Sequence, residues 1–384
     1  MASAVIVDAV RTPLGKRNGK LKDWHPVDLA AHTLRALVER NDLDPAIIDD
    51  VIMGCVSQVG DQAVNIGRNA ALAAGFPESV PGTSVDRQCG SSQQAAHFAA
   101  QGVLAGAYDV AIAAGVESMT RVPMGSSILP GSNPFGRVLP TRYDLVPQGI
   151  SAELIAEKWD ISREENDEFS VQSHHRAARA TEEGRFEHEI VPVEVREEDA
   201  TETMTRDEGI RADSTLEALA NLKPAFKPDG VITAGNSSQI TDGAAAVLVM
   251  SEERANQLGL VPRARFHAFA LAGVDPVLML TGPIPATSTV LERGGLTLDQ
   301  IDLVEINEAF APVVLAWARE HHPDMAKVNV NGGAIALGHP LGCSGSRLMA
   351  TLLNELERSG GRFGLQTMCE GGGLANATII ERLG

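Results

Sequence analysis

Four residues have types and neighbours suited to covalent carbon chemistry. Cys89 stands in Val85-Asp-Arg-Gln-Cys-Gly-Ser-Ser, where an extended stretch gives way to a small-residue helix. A helix N-terminus offers free N–H groups and partial positive charge, which lower a thiol pKa and favour the nucleophilic thiolate. The other reading is a buried structural cysteine. Cys369 stands in Thr367-Met-Cys-Glu-Gly-Gly-Gly. Glycines there let backbone N–H groups approach a ligand, as an oxyanion hole requires, and a thiol at that turn suits acid/base work; a plain β-turn with an incidental cysteine fits as well. His339, held between Gly338 and Pro340, is restricted and suits proton transfer, or is a satisfied structural histidine. The glycines around it lack the Lys-Ser/Thr ending and the G-x-G-x-x-G spacing of nucleotide loops. Asn307 ends Val304-Glu-Ile-Asn, at the strand end where α/β folds place their sites. It either orients a water or backbone group or caps the following helix. His174-His175 and His321-His322 lie in charged text and are expected on a solvated surface.

The elements that position these residues alternate in kind. Ala4 to Asp8 reads as a strand and Pro26 to Glu39 as an amphipathic helix with proline in its first turn. Val51 to Met53 reads as a strand and Asn65 to Ala74 as a helix, the signature of α/β layers. The text also repeats. LVERNDLDPAIIDDVIMGC ends at Cys55 and VLERGGLTLDQIDLVEIN ends at Asn307; Cys89 to Gly115 and Cys343 to Cys369 have equal separations. Two related halves are the reading this supports. The stretch from about Arg121 to Gln239 is richer in charge and turns and has no third copy. It reads as an insertion on the first half that shapes a ligand site.

Composition sets the limits. The chain has 384 residues, 44% hydrophobic, with 50 acidic against 32 basic side chains and a net charge of −18. That length holds two or three structural units of a globular protein. The acidic balance argues against nucleic acid and an anionic membrane surface as partners, while an anionic small ligand needs only a local positive pocket. No apolar run reaches the roughly 18 residues of a membrane span. The N-terminal text reads as a first strand rather than a secretory signal. Cys55, Cys89, Cys343 and Cys369 form no CxxC pair, so neither a zinc site nor a disulfide framework is expected, and a reducing cytoplasm is the simplest compartment.

Together these segments resemble the thiolase family. The Cys89-Gly-Ser block, Ala234-Gly-Asn-Ser-Ser with Asp242-Gly-Ala-Ala-Ala, Asn307-Glu-Ala-Phe310, Gly338-His-Pro and Cys369-x-Gly371 occur in the family's order and cover essentially the whole chain. The resemblance implies an α/β thiolase fold: two pseudo-symmetric core domains in αβαβα layers with an inserted loop domain. The expected divisions are 1–120 with 241–266, 121–240, and 267–384. It implies that Cys89 takes the acyl group as a thioester and that His339 withdraws its proton. Cys369 would move the proton on the α-carbon. Asn307 would hold a water in one oxyanion hole beside His339, and the N–H groups of Cys89 and Gly371 would form the other. Coenzyme A follows as cosubstrate, with Arg211, Ser238, Ala234, Gly235 and Phe310 as its contacts, no metal or nucleotide cofactor, and a homodimer or homotetramer as the assembly.

Two departures bear on the substrate. Short-chain synthetic thiolases commonly carry a His-Met pair where this chain reads Pro147-Gln148, and an apolar residue where it reads Glu370. The pocket is therefore not expected to be tuned only for acetoacetyl-CoA. The pattern most resembles actinobacterial degradative thiolases linked to steroid catabolism. A decarboxylating ketosynthase would pair its cysteine with two histidines, whereas here Cys369 and Asn307 occupy the partner positions. A papain-like hydrolase runs Cys, His, Asn in chain order, whereas here Asn307 precedes His339. A non-catalytic acyl-CoA binder on this scaffold is the remaining alternative, and the presence of all four catalytic residues argues against it.

Overall fold

The structure, a computed structural model, describes residues 3–197 and 200–384. The first half runs β1 (Ala4–Arg11), β2 (Gly15–Lys16), α1 (Pro26–Arg40), β3 (Asp50–Gly54), α2 (Ile66–Ala73), β4 (Gly82–Val85), α3 (Ser91–Leu104) and β5 (Val110–Ser118). Then come α4 (Gln148–Lys158), α5 (Arg163–Glu182), β6 (Val193–Glu197), β7 (Ala200–Met204) and α6 (Leu216–Ala220). The main sheet resumes with β8 (Thr241–Ser251), followed by α7 (Glu252–Gln257), β9 (Ala264–Gly273), α8 (Pro283–Gly294), β10 (Leu303–Ile306) and α9 (Ala311–His321). The chain closes with α10 (Ala334–Leu337), α11 (Ser344–Ser359), β11 (Phe363–Glu370) and β12 (Leu374–Arg382).

The caps follow from side chains next to each helix. Pro26 opens α1, and α2 begins at Ile66 because Asn65, in the left-handed region, caps it by accepting from the Arg68 N–H. Helix α5 starts with a full capping box between Ser162 and Glu165, which satisfies two orphan N–H donors.

The repeat read from the sequence is present in the pairing. In the first half β3 runs parallel to β5, which is antiparallel to β8, which is antiparallel to β1. In the second, β10 runs parallel to β11, β11 antiparallel to β12, and β12 antiparallel to β9. A short β1–β9 ladder, Val5 with Arg265 and Ile6 with Ala264, joins the halves into one ten-stranded sheet. Strand β9 spans the 266/267 division expected from the sequence.

Strand side chains alternate faces, and this builds the layers. Val5, Val7, Val51, Met53, Ile112 and Leu248 pack under α1 and α2. Ile6, Ile52, Ala113 and Val249 turn the other way, joining α3, α11, Phe266 and Ile380 in a central core. The far face of the second half packs on α8 and α9 through Val290, Ile306, Val314 and Trp317. Helix layers thus lie outside and between the two half-sheets, the expected αβαβα order. No helix among the described residues is long and apolar enough to cross a membrane.

The central layer requires close backbone approach. A Cβ on Gly345, in the first turn of α11, would lie 2.2 Å from the Gln93 backbone nitrogen of α3. Gly345→Ala is expected to lower stability by about 1–3 kcal/mol, read as a lower denaturant midpoint with an unchanged slope.

Candidate functional site

Cys89 and Asn307 follow strand ends, Cys369 lies in β11 one residue before its end, and His339 stands on the turn after α10. Cys89 lies between β4 and α3, after Gln88 in the left-handed region (φ 47°). Asn307 follows β10, its N–H donating to the Thr367 carbonyl at 3.1 Å, which stitches it beside the end of β11. Helix α9 is capped at Phe310, so Asn307 is not its cap. Gly338 has φ 107°, and a Cβ there would meet Thr241 Oγ1 at 2.3 Å; only glycine lets the chain present His339 from this turn.

His339 is buried and fully bonded on one side. Its N–H faces Gln239 O at 3.2 Å and Thr241 Oγ1 at 3.1 Å. Ring atom Nδ1 lies 2.5 Å from Ser344 Oγ, and Ser344 donates its only hydroxyl proton to Pro340 O at 2.9 Å. Ser344 Oγ therefore accepts from Nδ1–H. That leaves the lone pair on Nε2, which faces Asn307 Nδ2 at 3.4 Å. Burial and, secondarily, the Arg347 charge hold the imidazole pKa down at about 3, so the ring is neutral and its one lone pair, on Nε2, faces the Asn307 amide donor.

Leu341, two residues beyond His339, shares an apolar cluster with Cys89, Met119, Leu348 and Met368. The Cys89 thiol pKa is pushed up to about 12, by burial first and then by the Glu370 charge, while the N–H groups of Gly371 and Cys89 itself pull it down. The sequence expectation that the helix terminus would lower this pKa is therefore corrected. The two N–H groups act in the expected direction, but desolvation and a carboxylate outweigh them. Cys369 is also raised, by burial and then by Cys89 and Glu370. The two thiols thus share one electrostatic environment, and Gly371 N–H serves the first.

The coenzyme candidates divide. Residues 234–238 form a turn against the start of α9: Ser238 N–H donates to Ala309 O at 3.0 Å and Ala311 N–H to Asn236 O at 3.0 Å. Ser237 bridges Phe310, whose ring stands edge-on to Phe226 at 5.9 Å. Ser237, Ser238 and Phe310 therefore meet at one turn, while Ala234 is exposed and Gly235 faces Leu219 and Leu222. Arg211 lies on a separate turn, exposed, its N–H donating to His174 Nδ1 at 3.1 Å. His174 is buried at 2% exposure, which corrects its expected place on a solvated surface. The pair His174-His175 sits on α5, whose inner face supports this turn.

Several supports were not legible as functional residues. Glu117 accepts from Val56 N–H, Ser57 N–H, Gln62 Nε2 and Gly342 N–H at 2.7–3.1 Å. Glu308, inside Asn307-Glu-Ala-Phe, accepts from Ser173 Oγ, Asn329 Nδ2 and Ile335 N–H. Gln239 Nε2 faces the carbonyls of Gly209, Ile335 and Ala336, linking the Arg211 turn to the His339 turn. The only sequence signal was that these polar residues adjoin the motifs. Among the described residues no group of three or more His, Cys, Asp or Glu is placed to hold a metal ion.

Family models for the thiolase N-terminal and C-terminal domains match residues 4–253 and 260–382. The chain belongs to the thiolase family. The thiolase is 54% identical to a steroid 3-ketoacyl-CoA thiolase of Mycobacterium tuberculosis, over 100% of this chain and 95% of that one. A 3-ketoacyl-CoA thiolase of Aliivibrio fischeri is 47% identical with both chains fully covered. Human mitochondrial 3-ketoacyl-CoA thiolase superposes with a TM-score of 0.92 at 39% identity, covering 100% of this chain and 99% of that one. The acetyl-CoA acetyltransferase of Bacillus anthracis gives the same TM-score at 41% identity and the same coverage. As a thiolase the protein is an acyltransferase.

Ser344 accepts the Nδ1 proton and so fixes the imidazole tautomer. Ser344→Ala is expected to lower kcat for acyl transfer by about 10- to 100-fold, a part of what a positioned base contributes, with little change in KM. A steady-state comparison checks it.

Proposed function

We propose that this thiolase cleaves 3-oxoacyl-CoA with coenzyme A through an acyl thioester on Cys89. The observation that carries the reading is the His339 arrangement: Nδ1–H committed to Ser344 and the Nε2 lone pair beside Asn307. The Cys89 proton passes to Nε2, and the sulfur attacks the 3-keto carbon. The oxyanion that forms is met by the N–H groups of Cys89 and Gly371. Collapse breaks the bond between carbons 2 and 3, leaving the shortened acyl chain on Cys89 and an enolate on the departing thioester. Asn307, whose Oδ1 is buried without a protein partner, holds a water beside His339 at that second oxyanion. Cys369 gives its proton to the enolate carbon, releasing acetyl-CoA, or propionyl-CoA from a 2-methyl substrate. The Cys369 thiolate then takes the proton of incoming coenzyme A, which attacks the thioester. Shortened acyl-CoA leaves, and His339 returns its proton to Cys89. The same steps reversed give a Claisen condensation.

Coenzyme A fits the chemistry of the residues present. The turn of Ala234, Gly235 and Ser238, with Phe310 packed against it, suits the pantetheine arm, and exposed Arg211 suits the nucleotide end. The inserted residues 121–240 supply all of this except Phe310, which supports reading them as a loop domain for coenzyme and acyl specificity. The likeness to a steroid 3-ketoacyl-CoA thiolase, with Gln148 beside Gly371, supports a bulky or polar acyl chain. Strand β4 is an open sheet edge, and Met124, Ile128, Leu129, Phe135 and Val138 are exposed on one segment. Both support assembly as a homodimer or homotetramer. Free, buried cysteines suit a reducing compartment such as the cytoplasm.

The test is coenzyme A-dependent loss of 3-oxoacyl-CoA absorbance, with acetoacetyl-CoA against a ring-bearing substrate. Wild type is expected to favour the latter, and Cys89→Ala to be inactive without an acyl adduct by intact mass. Asn307→Ala is expected to lose about 3–4 kcal/mol of transition-state stabilisation, in kcat rather than KM. Binding of acyl-CoA with no adduct on wild type would overturn the proposal and make the protein a carrier.

A further inference from the structure

Behind the Cys89 turn lies a group of polar side chains that the acyl-transfer steps do not use. Glu370 ends β11, one residue after Cys369, and strand alternation turns it away from that thiol, toward the start of α3. Its carboxyl is fully buried, and neither oxygen meets a donor at hydrogen-bond geometry. Asn376 Oδ1, on β12, is likewise buried and unpartnered, as is Arg87 Nε. Gly90, the cap of α3, makes the closeness measurable. A Cβ on it would lie 1.9 Å from Glu370 Oε1 and 2.2 Å from Asn376 Oδ1. Two acceptor oxygens therefore converge to within roughly 4 Å across this glycine, with no donor between them. The Asn376 amide donates to Gln94 Oε1 at 3.2 Å. Of the two facing groups, only Glu370 can carry a proton to the other.

We propose that Glu370 is a positioning residue for the nucleophile: protonated, it donates to Asn376 Oδ1 and leaves the turn behind Cys89 uncharged, and its ionisation suppresses the Cys89 thiolate. This rests on the reading of Cys89 as nucleophile. The surroundings agree with it. Burial pushes the Glu370 pKa up to about 8, opposed by Arg87 and the Asn376 backbone N–H and reinforced by Asp86. Those groups face it from the turn before α3 and from β12. Cys89 faces it at the start of α3, Cys369 adjoins it on β11, and Gln94 of α3 is uncharged. Glu117 of β5 adds a further, smaller push on Cys89. Glu370 is the largest charge acting on the Cys89 thiol and also acts on Cys369.

The Glu370→Gln variant keeps the size and the donor to Asn376 but cannot ionise. Iodoacetamide alkylation of Cys89, followed by peptide mass spectrometry from pH 6 to 10, reads the thiol without acyl chemistry. The E370Q alkylation rate is expected to match wild type at pH 6, where Glu370 is protonated, and to exceed it by about 10-fold at pH 10, where it is ionised, with kcat at pH 7 within about 3-fold of wild type. Glu370→Met, which removes the charge without supplying a donor, is expected to raise the rate at pH 10 equally but to lower kcat further. A second readout follows from linkage. The folded protein holds this proton more tightly than the unfolded chain, so wild-type stability relative to E370Q falls as pH rises from the ordinary carboxylate range to about 8 and is level above it. Superimposed alkylation profiles for wild type, E370Q and E370M would overturn the inference, as would an offset already complete at pH 6, which would mean that the Asn376 amide turns its Nδ2 toward an ionised Glu370. Absence of an acyl adduct on wild type would instead overturn the function proposed above, with the alkylation readout still able to decide on Glu370.

Discussion

The site depends on buried carboxylates that hold turns in place of a strand ladder. Glu117, at the end of β5, gathers three backbone N–H groups and one amide. One of these, from Gly342, belongs to the other half of the molecule and lies three residues beyond His339. Burial pushes this carboxyl pKa up, and the four donors push it down. A charged acceptor at that point ties the His339 turn to the loop after β3. Without it the donors would be left unpaired in the interior, each costing about 1–3 kcal/mol. Glu308 does the same work between α5, the turn before α10 and the end of β10. The positions of His339 and Asn307 are consequences of these two acids.

A repeated half explains where the chemistry falls. Cys55 and Asn307 occupy equivalent strand ends, and Cys89 and Cys343 equivalent helix starts. In each pair one member is drawn into packing. Cys343 is fully buried, its thiol pushed up to about 12 by burial, and Cys55 packs beneath Gly342, whose Cβ would sit 2.7 Å from its Cα. Close contact of α3 with α11 brings the working members of both halves to one place. The duplication thus supplies two sets of strand ends, and the central helix layer selects one site from them.

The motifs were legible because their signals are local. A thiol ahead of a small-residue helix, a histidine after a glycine that needs positive φ, and a strand ending in Asn each carry their meaning within a few residues. The α/β alternation and the two halves were legible in the text itself, and their αβαβα order through the resemblance to thiolases. What stayed hidden was long-range. Ser344 gains meaning only when its hydroxyl proton is traced to Pro340. Gln239 and Glu117 look like ordinary polar residues until the chain closes around them. His174 lies in charged text, yet the inner face of α5 buries it against the Arg211 turn. The Cys89 pKa could not be read because it is set first by burial and then by an acid from the last hairpin of the fold.

That opposition has a chemical use. With the thiol at about 12 and the imidazole at about 3, the resting pair is neutral on both sides. Transfer of the proton within the empty site is strongly unfavourable, because it would create two charges where burial penalises each. Transfer becomes feasible when the negative charge has somewhere better to go. In the proposed mechanism a bound carbonyl offers that place, since its oxygen would take the charge beneath the N–H groups of Cys89 and Gly371 as the carbon–sulfur bond forms. The same groups that only modestly lower the free thiol pKa are then aimed at an oxyanion. A neutral thiol is also a poor target for oxidants, because the thiolate is the reactive form. On the proposed reading of Cys89 as nucleophile, the fold withholds its thiolate until an acyl group is present to receive the charge.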